Sequence, residues 1–185
     1  ILNKFDLPEA EIEQLVKTCQ GKLLSSQKFI RGIFGAGTFC TQAQSILFAL
    51  GEQVYSNIPI KNNYHLNSKS KEEGHVLIDI GEEQFTMGRA HPVIDLLQYR
   101  LAIKNLYTDP QVAILMFDVI LGPGANPDPA DYITRVLSEV GSETKTHPIL
   151  IANVCGTEHD PQILHKQQEK LRNAGVIVMN SITQS

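Results

Sequence analysis

The residues best equipped for chemistry gather in four glycine-rich segments of the sequence. Gly35-Ala36-Gly37-Thr38 can bring backbone amides up to an anion, and a helix starting just after it adds the positive end of its dipole, with Thr38 as N-cap. The same run also fits a plain strand-to-helix turn, being neither a Walker A loop nor a full GxGxxG motif. Gly88-Arg89-Ala90-His91-Pro92-Val93-Ile94-Asp95 sets a cation, an imidazole and a carboxylate within eight residues. Arg89 suits bidentate binding of a carboxylate or phosphate, and His91 suits proton transfer or nucleophilic attack. Against this stands a bland reading, in which His91 only makes loop hydrogen bonds and Asp95 caps the next helix. No metal-ligand spacing supports His91 as a ligand, and no metal site is expected.

Asp118 stands inside an apolar run. A carboxylate there is costly unless it is partnered or its pKa is raised, so it either holds a neighbouring loop or orients a catalytic group. Gly122-Pro123-Gly124-Ala125-Asn126-Pro127-Asp128 is a rigid turn or a rigid wall for a ligand. In Cys155-Gly156-Thr157-Glu158-His159-Asp160 the polar residues either cap a helix or face a ligand. Cys155 has no paired base and is not taken as a nucleophile.

The elements that must position these segments follow from apolar periodicity. Ile12, Leu15, Val16 and Cys19 mark an amphipathic helix over 8–20. Strands are expected over 29–34, 54–57, 75–80, 112–121, 148–154 and 175–180, and helices over 39–50, 94–107, 130–140 and 160–173. The segment 112–121 is apolar on both faces, as a central strand covered on both sides requires. The polar stretch 61–74 is expected to be a mobile surface loop. Crossovers of this length make neighbouring strands parallel and right-handed, which gives a doubly wound α/β sheet with its ligands at the carboxyl ends of the strands. The four glycine-rich segments all fall at that end.

The chain has 185 residues and is 42% hydrophobic, enough for one core. The division expected is an N-terminal helix and linker over 1–27, followed by one domain over 28–185. A net charge of −4 with 19% charged residues gives no basic footprint for nucleic acid or anionic lipid. No apolar run is long enough to cross a bilayer. Cys19, Cys40 and Cys155 are isolated, which favours a reducing, cytoplasmic setting. The first residues have no initiator Met and no signal-peptide layout, and are expected to be the cut edge of a longer protein.

Segments 31–40, 78–95, 118–130 and 154–162 resemble the ligase region of the FdrA family, which is similar to the α subunit of succinyl-CoA synthetase and acyl-CoA synthetase-like. The likeness runs from about Phe29 to Ser181, and the second and third segments carry its most specific motifs. It implies a flavodoxin-like, three-layer domain, normally preceded by a CoA- or nucleotide-binding Rossmann domain, that acts with other subunits on a small acyl group. Gly35 to Thr38 then match a Ser-Gly-Thr turn of the synthetases, and Asp118 lies where they have a glutamate that steadies a histidine loop. That loop is Gly-His-Ala-Gly-Ala in the synthetases, whereas residues 156–160 here lack the glycines that flank the histidine. Carbamoyltransferase chemistry of oxamate and allantoin breakdown, linked to FdrA-type proteins, needs no phosphohistidine, and a non-catalytic docking domain is the third alternative.

The resulting assignments place His91 and Asp118 as catalytic groups. Gly35, Ala36, Gly37 and Thr38 hold an anion. Gly88, Arg89, Asp95, Gly122, Gly124, Asn126, Gly156, Thr157 and Glu158 face the substrate. The expected ligand is a small acyl, carbamoyl or phosphate group. CoA and nucleotide are expected in the full assembly, with none held tightly by this domain.

Overall fold

A computed structural model describes residues 8–61, 63–67, 69–70, 74–179 and 181–182. The expected cut edge at the N-terminus, part of the expected mobile loop and the last residue of the expected final strand lie outside them.

Helix α1 (Glu9–Gln20) leads to strand β1 (Phe29–Phe34), helix α2 (Gly37–Ala49) and three strands, β2 (Val54–Ser56), β3 (Tyr64–His65) and β4 (His75–Asp79). A short helix α3 (Glu83–Thr86) and the longer α4 (Leu97–Tyr107) precede the central strand β5 (Val112–Ile120). Helix α5 (Pro129–Gly141), strand β6 (Ile149–Cys155), helix α6 (Leu164–Asn173) and strand β7 (Ile177–Met179) complete the order. The strands lie as β3-β2-β4-β1-β5-β6-β7, and every neighbouring pair is parallel. Without β3 and β2, the two short strands at one edge, and with the rest renumbered along the chain, the order is 2-1-3-4-5. This is the doubly wound, flavodoxin-like α/β sheet expected.

Alternation along the strands divides the core in two. Ile33, Leu115, Phe117, Val119, Leu150 and Ala152 point to the layer of α4, α5 and α6. Phe34, Leu77, Met116, Ile151 and Met179 point to the other face, with Cys40, Ala43 and Leu47 of α2. A strand buried on both faces has no room for a polar position in its middle, which is why β5 is apolar until Asp118.

The chain therefore leaves β1 toward one face through α2, and leaves β4 and β5 toward the other through α3–α4 and α5. The carboxyl end of β1 is the point where the winding reverses, where open parallel sheets leave a crevice. Register sets the flanks of that crevice, since Phe34 pairs with Asp79 and Ile33 with Phe117, the residue before Asp118. Two carboxylates thus border the end of β1.

Two helix starts and one loop on the way to the site depart from the sequence expectations, and the short helix α3 was not expected. Helix α4 starts at Leu97 rather than 94, because the amides of Ile94 and Asp95 donate back to the carbonyl of His91 in a turn and the Asp95 carboxylate accepts from Leu97 N at 3.1 Å. Helix α6 starts at Leu164 rather than 160, because Ile163 has φ +61°, which a right-handed helix cannot contain. The expected loop over 61–74 contains β3, which extends the sheet edge by two residues.

Candidate functional site

Asp118 is completely buried, and both its oxygens are engaged. Oδ1 accepts from Gly35 N at 2.8 Å and from the Tyr99 hydroxyl, and Oδ2 accepts from Ala36 N at 2.9 Å. Burial pushes the carboxyl pKa up to about 6, and the bonds from Tyr99, Gly35 and Ala36 pull against that rise. Tyr99, itself fully buried, is raised well above an ordinary tyrosine by burial and by the Asp118 charge. The carboxylate therefore acts as an internal anion that fixes the β1–α2 turn.

The turn differs from the sequence expectation in one respect. Helix α2 begins at Gly37 with Ala36 as N-cap, so Thr38 is its second residue and not the cap. The carbonyl of Ala36 accepts from Phe39 N and Cys40 N. Among the described residues, the amides of Gly37 and Thr38 have no acceptor. These are two of the four orphan donors of a helix start, and Thr38 is exposed.

Asp79 closes the other flank. Its Oδ1 accepts from Gly81 N at 2.8 Å, and its backbone is held by the Asn57 side chain, which donates to Asp79 O at 2.8 Å and accepts from Asp79 N at 2.9 Å. A Cβ on Gly37 would lie 2.6 Å from Asp79 Oδ2, so only glycine lets the helix start this close to the carboxylate. Burial raises the Asp79 pKa, and a bond from Gly81 and the nearby His91 counter it.

His91 reaches the same place from the loop after α3. Its Nε2 and Asp79 Oδ1 lie 2.9 and 3.0 Å from the position a Gly81 Cβ would take, and Gly35 O lies 2.7 Å from it. His91 Nδ1 accepts from Val93 N at 3.3 Å, which leaves the Nε2 edge as the one turned toward Asp79. The ring is exposed and open to a ligand from solvent. The structure thus brings together Gly35, Ala36, Gly37, Thr38, His91 and Asp118. Gly88 and Arg89 lie on the exposed part of the same loop. Gly88 has φ +71°, and among the described residues the Arg89 guanidinium has no bonded partner.

The third and fourth segments form the continuation of this rim. Asn126 joins the β5–α5 loop to the His91 loop, its amide donating to Val93 O at 2.8 Å and its side chain to Ile94 O at 3.3 Å. Gly122 and Gly124 have φ +141° and +85°, conformations reserved largely for glycine. Gln162 clamps this loop, accepting from Gly122 N at 3.1 Å and donating to the carbonyls of Gly122 and Asn126, both at 3.0 Å. Gly156 packs against Leu121. Beyond it, Asp160 accepts from Thr157 N at 2.5 Å, and Glu158 accepts from His165 N at 3.0 Å and pairs with its ring. Thr157 and Glu158 therefore cap their own loop, which lies alongside 122–128 and not against His91.

Asp79, Tyr99, Asn57 and Gln162 were not among the sequence candidates. Asp79 carries a signal like that of Asp118, a carboxylate within an apolar run of sequence. Tyr99 sits at helical spacing with Ile103 and Leu106 and is indistinguishable from a core aromatic by pattern alone.

A doubly wound sheet with a glycine turn and two carboxylates at its switch point defines a class of ligand-binding α/β domain. A CoA-ligase family model matches residues 33–185, and the chain belongs to the CoA-ligase family. It is similar to YahF, described as an uncharacterized protein, of Escherichia coli (strain K12), with 30% identity over 174 residues that cover 92% of this chain and 34% of that protein. The chain spans about a third of the length of this curated relative. No helix among the described residues is long and apolar enough to cross a membrane.

Proposed function

We propose that this chain is the ligase-type domain of an FdrA-like, succinyl-CoA synthetase-related acyl-CoA synthetase. It acts on a small acyl group within a larger cytoplasmic assembly whose other domains or subunits hold CoA and nucleotide. The observation that carries this reading is the division of labour at the β1–α2 turn. Asp118 consumes the amides of Gly35 and Ala36 and so presents those of Gly37 and Thr38, at the start of a 13-residue helix, to an anion from outside. A carboxylate or acyl phosphate bound there lies beside His91 and Asp79, which exchange a proton with it, while Arg89 closes over its charge. Asp118 positions the turn from behind and does not touch the substrate.

A second reading, a subunit of a carbamoyltransferase, is favoured by the loop after β6. There Asp160 closes onto Thr157 and His159 is exposed, without the glycines that let a phosphohistidine loop present its ring. The whole assembly is incubated with radiolabelled ATP and assayed for acid-labile label and for acyl-CoA. Label that His159→Ala or His91→Ala removes supports the synthetase. Carbamoyl phosphate formed from N-carbamoyl oxamate and inorganic phosphate, with oxamate released and no label, selects the transferase. Absence of label and of substrate-induced thermal shift, with complex formation unaltered in His91→Ala, refutes both and leaves a docking domain.

A further inference from the structure

At the opposite end of the strands, the sheet face that carries α2 is well covered over β1, β2 and β4, but over β5, β6 and β7 its cover among the described residues is α1. Strands in a parallel sheet bury both faces when the fold is closed. Here Ile114, Ile149 and Ile177 remain half-buried beneath α1, and none of the residues 10–20 of that helix is buried. A cavity of 320 Å³ separates α1 from these isoleucines. Leu15, Cys19, Ile149 and Ile177 also line a second cavity, of 470 Å³, at the amino-terminal edge of the sheet, so the two adjoin. The chemistry changes along the way. The inner part is walled by aliphatic side chains, whereas the outer part carries Lys22, Lys145 and His147. Among the described residues no Asp or Glu lines either cavity, although the chain has 20 of them against 16 Lys and Arg.

We infer that this groove binds an amphipathic anion, a medium-chain carboxylate, with its hydrocarbon on Ile114, Ile149 and Ile177 beneath α1 and its head group at Lys22 and Lys145. An apolar trough that ends in two cations and no carboxylate complements a molecule with one apolar and one anionic end, and the cavities fall in the size range of small-molecule sites. His147 Nδ1 lies 3.1 Å from the Tyr107 hydroxyl, and both residues line the outer cavity with the two lysines. The site lies at the other end of the sheet from Gly37 and His91, and does not depend on the reaction proposed there.

Calorimetry of the intact chain with decanoate tests it, with decanol and acetate as probes of tail and head alone. One decanoate is expected per chain, at least tenfold tighter than either control. Lys22 and Lys145 are both exposed, and the double variant Lys22→Gln, Lys145→Gln is expected to reduce decanoate to the affinity of decanol while keeping its circular dichroism. Cys19 gives a measure independent of those lysines. In a Cys155→Ser background, with Cys40 fully buried, saturating decanoate is expected to slow Cys19 alkylation severalfold. Undetectable binding, equal affinity in the double variant, or Cys19 alkylation unchanged or accelerated by decanoate overturns the inference. The last of these outcomes would mean that the groove is only the gap under a loosely seated helix, open to a polypeptide segment instead.

Discussion

The Asp118→Asn substitution separates the electrostatic cost of this buried carboxylate from the bonds it makes. Asp118 ionises at about 6 in the folded chain against 3.8 for the ordinary group. The native state therefore holds its proton where the unfolded chain has lost it, and stability from this group is fully present below pH 3.8 and is lost as pH rises through about 6. At about 1.36 kcal/mol per pH unit the full loss is about 3 kcal/mol, of which about 2 kcal/mol falls between pH 4.5 and 7.5. The group is wholly buried, so solvent screening takes little from this figure. In the variant, the amide oxygen still accepts from Gly35 and Tyr99, while an NH₂ in place of Oδ2 meets the Ala36 amide donor to donor. That mismatch costs about 1–3 kcal/mol and does not vary with pH. Urea unfolding of both proteins across pH 4.5 to 7.5 gives the difference curve, wild type minus variant, in which other titrating groups cancel. It is expected to fall by about 2 kcal/mol. A flat curve, or one that rises with pH, refutes the account of Asp118 as a desolvated carboxylate held by the turn.

Tyr99→Phe removes the hydroxyl whose bond lowers the Asp118 pKa, so the difference curve of Tyr99→Phe with and without Asp118→Asn is expected to keep falling above pH 6, where the curve in the wild-type background levels off. Gln162→Leu leaves Gly122 N, Gly122 O and Asn126 O without their side-chain partner. A loss of about 2–4 kcal/mol follows, with faster amide exchange confined to 122–128 as the check that the clamp was lost. Gly37→Ala sets a methyl 2.6 Å from Asp79 Oδ2. It is expected to cost about 1–3 kcal/mol and to abolish anion-induced thermal stabilisation, as measured by melting with and without phosphate.

The layered sheet was legible because its evidence is local. Apolar strands punctuated by glycine, and helices with one apolar face, each carry their signal within about ten residues. Helix starts were less legible because they depend on single backbone states. The φ of +61° at Ile163 leaves no trace in composition, and the strand pair Tyr64–His65 exists only because β2 offers an edge. Register across the sheet is also beyond local pattern, yet it is register that puts Asp79 and Asp118 on either side of β1.

The candidate site shows the same divide within one residue. That Asp118 must have partners follows from its place in an apolar strand, since an unpaired buried charge is untenable. Which partners it has does not follow, because Gly35 and Ala36 stand 83 and 82 positions away and Tyr99 looks like any core aromatic. Once the partners are known, the meaning of the Gly35 to Thr38 run changes. Its first two amides are spent on holding the fold, and only the next two remain for a ligand. A glycine-rich turn at a switch point thus has a structural half and a half open to solvent. Gly37, pressed against Asp79 Oδ2 at the start of α2, is the residue at which one passes into the other.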